Sequence, residues 1–175
     1  GRTRSLYWGE PLAGWGKDAA DRFAMGPLPK SGQWTLLEIR AADLGIEQAE
    51  VSGLAVTTYG GEWRLDRLAF TRLDRETVLM DEDLPQDLRL EGQPPRLTSD
   101  LAHDGRHSWL VGSARGIHVW QLLPAQRNTL FSFKDADAAA SPKRDAARTA
   151  AAYREAADLM ADTPDGWLFL RFALE

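Results

Sequence analysis

A chain of 175 residues with 43% hydrophobic and 27% charged side chains can bury a core of its own and fits a single domain, residues 1–175. Its formal net charge of −5 argues against nucleic acid or an anionic membrane surface as partner, because phosphate recognition needs a basic face. The absence of cysteine excludes disulfides, thiolate metal sites and thiol nucleophiles, and no apolar run approaches the ~20 residues of a membrane-spanning helix.

The chain opens at Gly1 without a start methionine or signal sequence, as a processed or excised piece would. Residues 7–70 are patterned as successive strands with tryptophans in both strands and loops. In 33–40 (QWTLLEIR), Trp34 and Leu36 alternate with Leu37 and Ile39, which predicts a strand apolar on both faces. Residues 41–46 read as a short helical turn or bend closing on Gly45. Residues 51–59 are rich in β-formers, and Gly60-Gly61 can supply the positive φ angles of a tight hairpin. The returning strand, 62–72, sets Leu68 and Phe70 on one face and Trp63, Leu65 and Ala69 on the other.

Further strands are predicted over 77–80, 88–90, 96–101, 107–111, 117–123 and 129–133, with joints such as Gln93-Pro94-Pro95 between them. Strands at this spacing, with no helices between, predict an all-β fold: an antiparallel β-sandwich of jelly-roll type. One segment breaks the pattern. Residues 141–162 are alanine-rich and predict a single inserted α-helix, with Ser141 as N-cap, Pro142 in the first turn, and Thr163-Pro164 and Gly166 ending it. Ala146, Ala150, Tyr153, Ala157 and Met160 form a thin apolar stripe on it, suited to docking on a sheet or on a partner. Residues 167–174 (WLFLRFAL) form the most hydrophobic segment and belong in the centre of a sheet.

The run of YWGE (7–10), MGPLP (25–29), Gly32, Trp34, LEI (37–39), LGI (44–46), Val51, GLA (53–55), YGG (59–61) and Asp66 resembles a repeated β-sandwich module of large bacterial surface proteins, some of which carry separate cytochrome c modules. The resemblance implies an extracytoplasmic location, secreted or at the cell surface, and carries over no catalytic residues. Its segment order is circularly shifted. In the module a segment like TVLMDEDLP (77–85) comes first, and one like YWGE follows a strand like WLFLRFAL across a short turn. Joining Glu175 to Gly1 would give LFLRFALEGRTRSLYWGE, a hairpin with a Glu-Gly turn. The first and last strands are therefore expected to be antiparallel neighbours, as in a circular permutation or in tandem repeats cut out of frame.

Seven tryptophans are the strongest compositional bias; they either fill the core or offer faces to sugar rings. Tyr7, Trp8, Glu10, Trp15, Lys17 and Asp18 crowd a strand end and a Gly/Pro-rich loop. Aromatic rings stack on sugar C–H faces while carboxylates and amines fix hydroxyls, so this loop is the candidate ligand site. A self-packed loop is the competing reading. Asp81, Glu82 and Asp83, with Asp87 nearby, make an acidic knot of the kind that holds a structural calcium ion, or a solvated loop. His103, Asp104, His107 and His118 could supply zinc ligands or plain hydrogen-bonded histidines. The module tends to carry a second histidine soon after the one like His118, where this chain has Trp120.

Catalysis has thin support. Glu10 with Glu62, or Glu38 with Asp66, would need the separation of a glycosidase pair, and the nucleophile elbow, phosphate loop and dinucleotide fingerprint are all missing. The sequence thus points to a non-catalytic extracytoplasmic module that binds carbohydrate through the Trp8/Trp15 region, with polysaccharide or neighbouring domains as partners. A structural or adhesive spacer without a small ligand is the alternative, followed by a fragment of a glycan-active enzyme.

Overall fold

The computed structural model describes residues 2–9, 22–72, 75–99, 107–112, 116–134, 147–156 and 166–175. In chain order the first elements are β1 (Arg2–Gly9), β2 (Arg22–Gly26), β3 (Thr35–Arg40), the helical turn α1 (Ala41–Leu44), β4 (Glu50–Tyr59), β5 (Trp63–Leu65) and β6 (Leu68–Arg72). There follow β7 (Arg75–Met80), β8 (Leu88–Gly92), β9 (Arg96–Ser99), β10 (His107–Gly112), β11 (Ile117–Pro124), β12 (Phe131–Ser132), β13 (Ala147–Ala156) and β14 (Trp167–Leu174). They form two seven-stranded sheets. The first has the order β2-β1-β14-β4-β11-β8, with β12 also on β4; the second has β7-β6-β13-β5-β10-β9, with β3 on β13. Among the described residues every pairing is antiparallel except that of β1 with β2.

One hydrophobic core joins the sheets. Leu6, Trp8, Leu54, Trp120, Leu170 and Phe172 come from the first, and Leu37, Ile39, Trp63, Leu65 and Val111 from the second. The all-β sandwich expected from the strand spacing is therefore what forms. β14 lies between β1 and β4, and only Arg171 and Ala173 among its eight residues escape full burial, as its unbroken hydrophobicity requires. β3 does not carry two apolar faces as expected: its outer face is Leu36, Glu38 and Arg40. Leu37 and Ile39 enter the core, whereas Leu36 stays 44% exposed.

The expected partnership of the terminal strands is present. β1 runs antiparallel to β14 from Arg2↔Leu174 to Gly9↔Trp167 without a break in register. That register sets Arg2 and Leu174 opposite each other at the end of the ladder.

Two local expectations are corrected. The expected helix over 141–162 is, in its described part, the strand β13; residues 141–146 and 157–162 lie outside the described residues. β13 pairs with β3 along one side, from Arg148↔Arg40 to Arg154↔Thr35, and with β5 and β6 along the other. Alanine favours helix by only tenths of a kcal/mol per residue, roughly, whereas three strand edges would otherwise leave rows of N–H and C=O groups unpaired. The ladder outweighs the propensity. Gly60-Gly61 is likewise not a hairpin turn, because β4 and β5 belong to different sheets. With φ of 74° and 78°, the two glycines carry the chain round the corner from one sheet to the other, and the Trp63 indole N–H donates to the Gly60 carbonyl at 2.9 Å to fix it.

The turn at 41–46 forms as expected. Gly45 adopts φ 63° and ψ 39°, and the N–H groups of Gly45 and Ile46 donate to the carbonyls of Ala42 and Ala41, which closes the turn as a Schellman cap. Close approach explains another glycine. A Cβ at Gly112 would sit 2.2 Å from Thr58 Oγ1, and Thr58 is fully buried. Gly112→Ala is therefore expected to cost about 1–3 kcal/mol through overpacking. The Thr58 hydroxyl has no hydrogen-bond partner, so adding Thr58→Ala to Gly112→Ala should recover most of that loss in a urea melt.

Candidate functional site

The sandwich opens at one end into a cleft of about 840 Å³ lined from both sheets. Period-two alternation puts Phe70 and Arg72 of β6 on one face, and pairing with β7 brings Thr77 opposite Phe70 and Arg75 opposite Arg72. These four residues form the wall from the second sheet. The facing wall comes from the segment between β11 and β12, through Arg127 and Thr129, and from Phe131 and Ser132 of β12.

β12 is held by its pairing with β4, Phe131↔Val51 and Ser132↔Glu50. The preceding segment is pinned where the Leu130 N–H donates to the Val51 carbonyl at 2.7 Å. The deep end is aromatic. Phe70 and Phe131 stack with ring centroids 4.6 Å apart, and Phe133 meets Phe131 edge-on at 5.2 Å. Such pairs add about 0.5–1.5 kcal/mol each beyond their buried area, so the cleft's base is rigid. Arg127 is oriented before any ligand arrives: it lies 3.0 Å from the Asp87 carboxylate and donates to the Leu130 carbonyl at 3.3 Å. Among the described residues lining the cleft none is acidic.

Of the residues singled out in the sequence, those that are described are dispersed. Tyr7 and Trp8 are neighbours on β1 and point to opposite faces. Trp8 is in the core at 6% exposure, which closes its ring to a surface ligand. Tyr7 is half-buried on the outer face of the first sheet, registered against Phe169. Trp167 and Phe169 share that outer face; Tyr59 stacks on Trp167, and Arg22 and Arg171 lie over Phe169. Glu10, Trp15, Lys17 and Asp18 lie outside the described residues. Trp63, Trp109 and Trp120 fill the core, and Trp167 is buried on the outer face.

In the acidic knot the Asp81 carboxylate faces Arg67 at 3.5 Å and accepts the Glu82 N–H at 3.0 Å. The Asp81 backbone carbonyl accepts the Trp109 indole N–H, and Glu82 and Asp83 are exposed. His103 and Asp104 lie outside the described residues, while His107 is on β10 and His118 on β11, in different sheets. Among the described residues no group of three or more His, Asp or Glu side chains is gathered to hold a metal ion. Of the carboxylate pairs, Glu62 is bound to Arg64 at 2.7 Å, and β13 runs between Glu38 on β3 and the segment carrying Asp66. Among the described residues no helix is long and apolar enough to cross a membrane.

Compared with protein-family models, with curated proteins and with solved structures, the chain finds no match in any of the three.

Sequence reasoning passed over the cleft. A signal for half of it was there: Phe70 and Arg72 alternate on one strand, and Arg75 stands opposite Arg72 on the next. Nothing in PAQRNTL (124–130) announces that Arg127 and Thr129 face them.

Proposed function

We propose that this chain is a non-catalytic carbohydrate-binding module of an exported protein, and that the saccharide lies in the cleft between the two sheets. The observation that carries the reading is the cleft's lining. Phe70, stacked on the buried Phe131, offers an apolar surface for sugar C–H faces, and Thr77, Thr129 and Ser132 set hydroxyl groups around it. Apolar walls with a few convergent polar groups are the usual make-up of a ligand site. The exported setting rests on the resemblance to bacterial surface modules.

Isothermal titration against a panel of soluble polysaccharides tests this, with two variants. Thr77→Trp fills the cleft from an exposed strand position and is expected to weaken binding by tenfold or more, while Trp15→Ala leaves it unchanged. The reverse pattern would place the site on the loop 10–18 instead. Silence toward every polysaccharide would leave the spacer as the better reading.

A further inference from the structure

We infer that the cleft selects an acidic saccharide, with the guanidinium groups of Arg72, Arg75 and Arg127 gripping carboxylate or sulfate oxyanions on the sugar chain. The inference rests on the reading of the cleft as a saccharide site and adds the chemical class. Three arginines line this one cleft, in a chain whose net charge is −5. Arg72 and Arg75 stand directly opposite each other where β6 and β7 pair. That register sets two guanidinium groups side by side at the strand ends, the arrangement an anion clamp needs.

Arg127 completes the set from the other sheet, and its contacts with Asp87 and the Leu130 carbonyl hold it in place. A guanidinium fork matches the geometry of a carboxylate or sulfate and forms the stronger, charge-assisted kind of hydrogen bond. Phe70, between the arginines and the core, gives the sugar ring its apolar contact.

The test measures binding of the whole chain to alginate, dextran sulfate and neutral dextran, at low and high salt, for wild type, Arg75→Gln and Arg72→Gln/Arg75→Gln. Both arginines lie at strand ends and Arg75 is exposed, so melting temperatures should stay close to wild type and show that the variants fold. At least one acidic polymer is expected to bind tenfold or more tighter than dextran. That binding should weaken with salt and fall by about tenfold in Arg75→Gln and further in the double variant. The preference between alginate and dextran sulfate then identifies the oxyanion as carboxylate or sulfate. Equal binding of dextran, insensitive to both substitutions, would overturn the acidic selectivity and leave the saccharide cleft standing. Binding of an acidic polymer that survives both substitutions would also overturn it, by placing the anion site elsewhere. Binding of none of the three would remove the saccharide reading together with the inference.

Discussion

Trp63→Ala is expected to destabilise the protein by about 3–5 kcal/mol, the usual cost of emptying a buried tryptophan site. The indole is 1% exposed, it belongs to the core that joins the sheets, and its N–H closes the corner at Gly60. Trp120 is as deeply buried, at 0%, but its indole N–H has no hydrogen-bond partner. The two sites therefore separate under a milder change. Trp63→Phe strands the buried Gly60 carbonyl, which adds about 1–3 kcal/mol to the lost volume, whereas Trp120→Phe loses volume alone. Urea denaturation should show Trp63→Phe as clearly the less stable of the two. Equal midpoints would mean that the Gly60 contact does not hold the corner.

Joining Glu175 to Gly1 by a peptide bond is expected to raise the stability of this chain. The unbroken register of β1 against β14 already aligns the two ends as a hairpin, so closure should introduce little strain in the folded state. Its effect falls on the unfolded chain, whose ends can no longer separate. By analogy with cross-links closing long loops, that restriction is worth on the order of 5 kcal/mol, or about 10 °C or more in melting temperature for a domain of this size. A cyclised protein that melts at or below the linear one would show that Glu-Gly cannot make the turn. It would also remove the physical support for reading the segment order as circularly shifted.

Most of the architecture was legible in the sequence because it rests on period-two burial, which a single chain displays. The continuous apolar run at 167–174 marked the central strand, and the glycine at 45 marked the capped turn. What failed depends on pairing across long sequence distances. Residues 147–156 carry a helical composition, and only the edges of β3, β5 and β6, seventy to more than a hundred residues away in the chain, make them a strand. Gly60-Gly61 has the backbone angles of a hairpin turn, yet whether the next strand returns to the same sheet is decided by where Trp63 is buried.

The candidate site was less legible for the same reason. Trp8 reads as a sugar platform in a loop-rich motif, but its strand partner Leu168 faces the core and takes Trp8 with it. The cleft is assembled from Phe70, Arg72 and Arg75 on one sheet and Arg127, Phe131 and Ser132 on the other. No local motif links those two stretches, so only the packing of the sheets brings their chemistry together.

The most direct test of a saccharide site between the sheets is NMR shift mapping with ¹³C-labelled phenylalanine and backbone amide probes, titrated with a short alginate oligomer. The largest shifts are expected at the Phe70 and Phe131 rings and at the amides of Thr77 and Ser132, saturating together with one dissociation constant. Shifts centred on Tyr7 and the 10–18 loop, with Phe70 and Phe131 unmoved, would contradict the account, and so would a spectrum that the oligomer leaves unchanged.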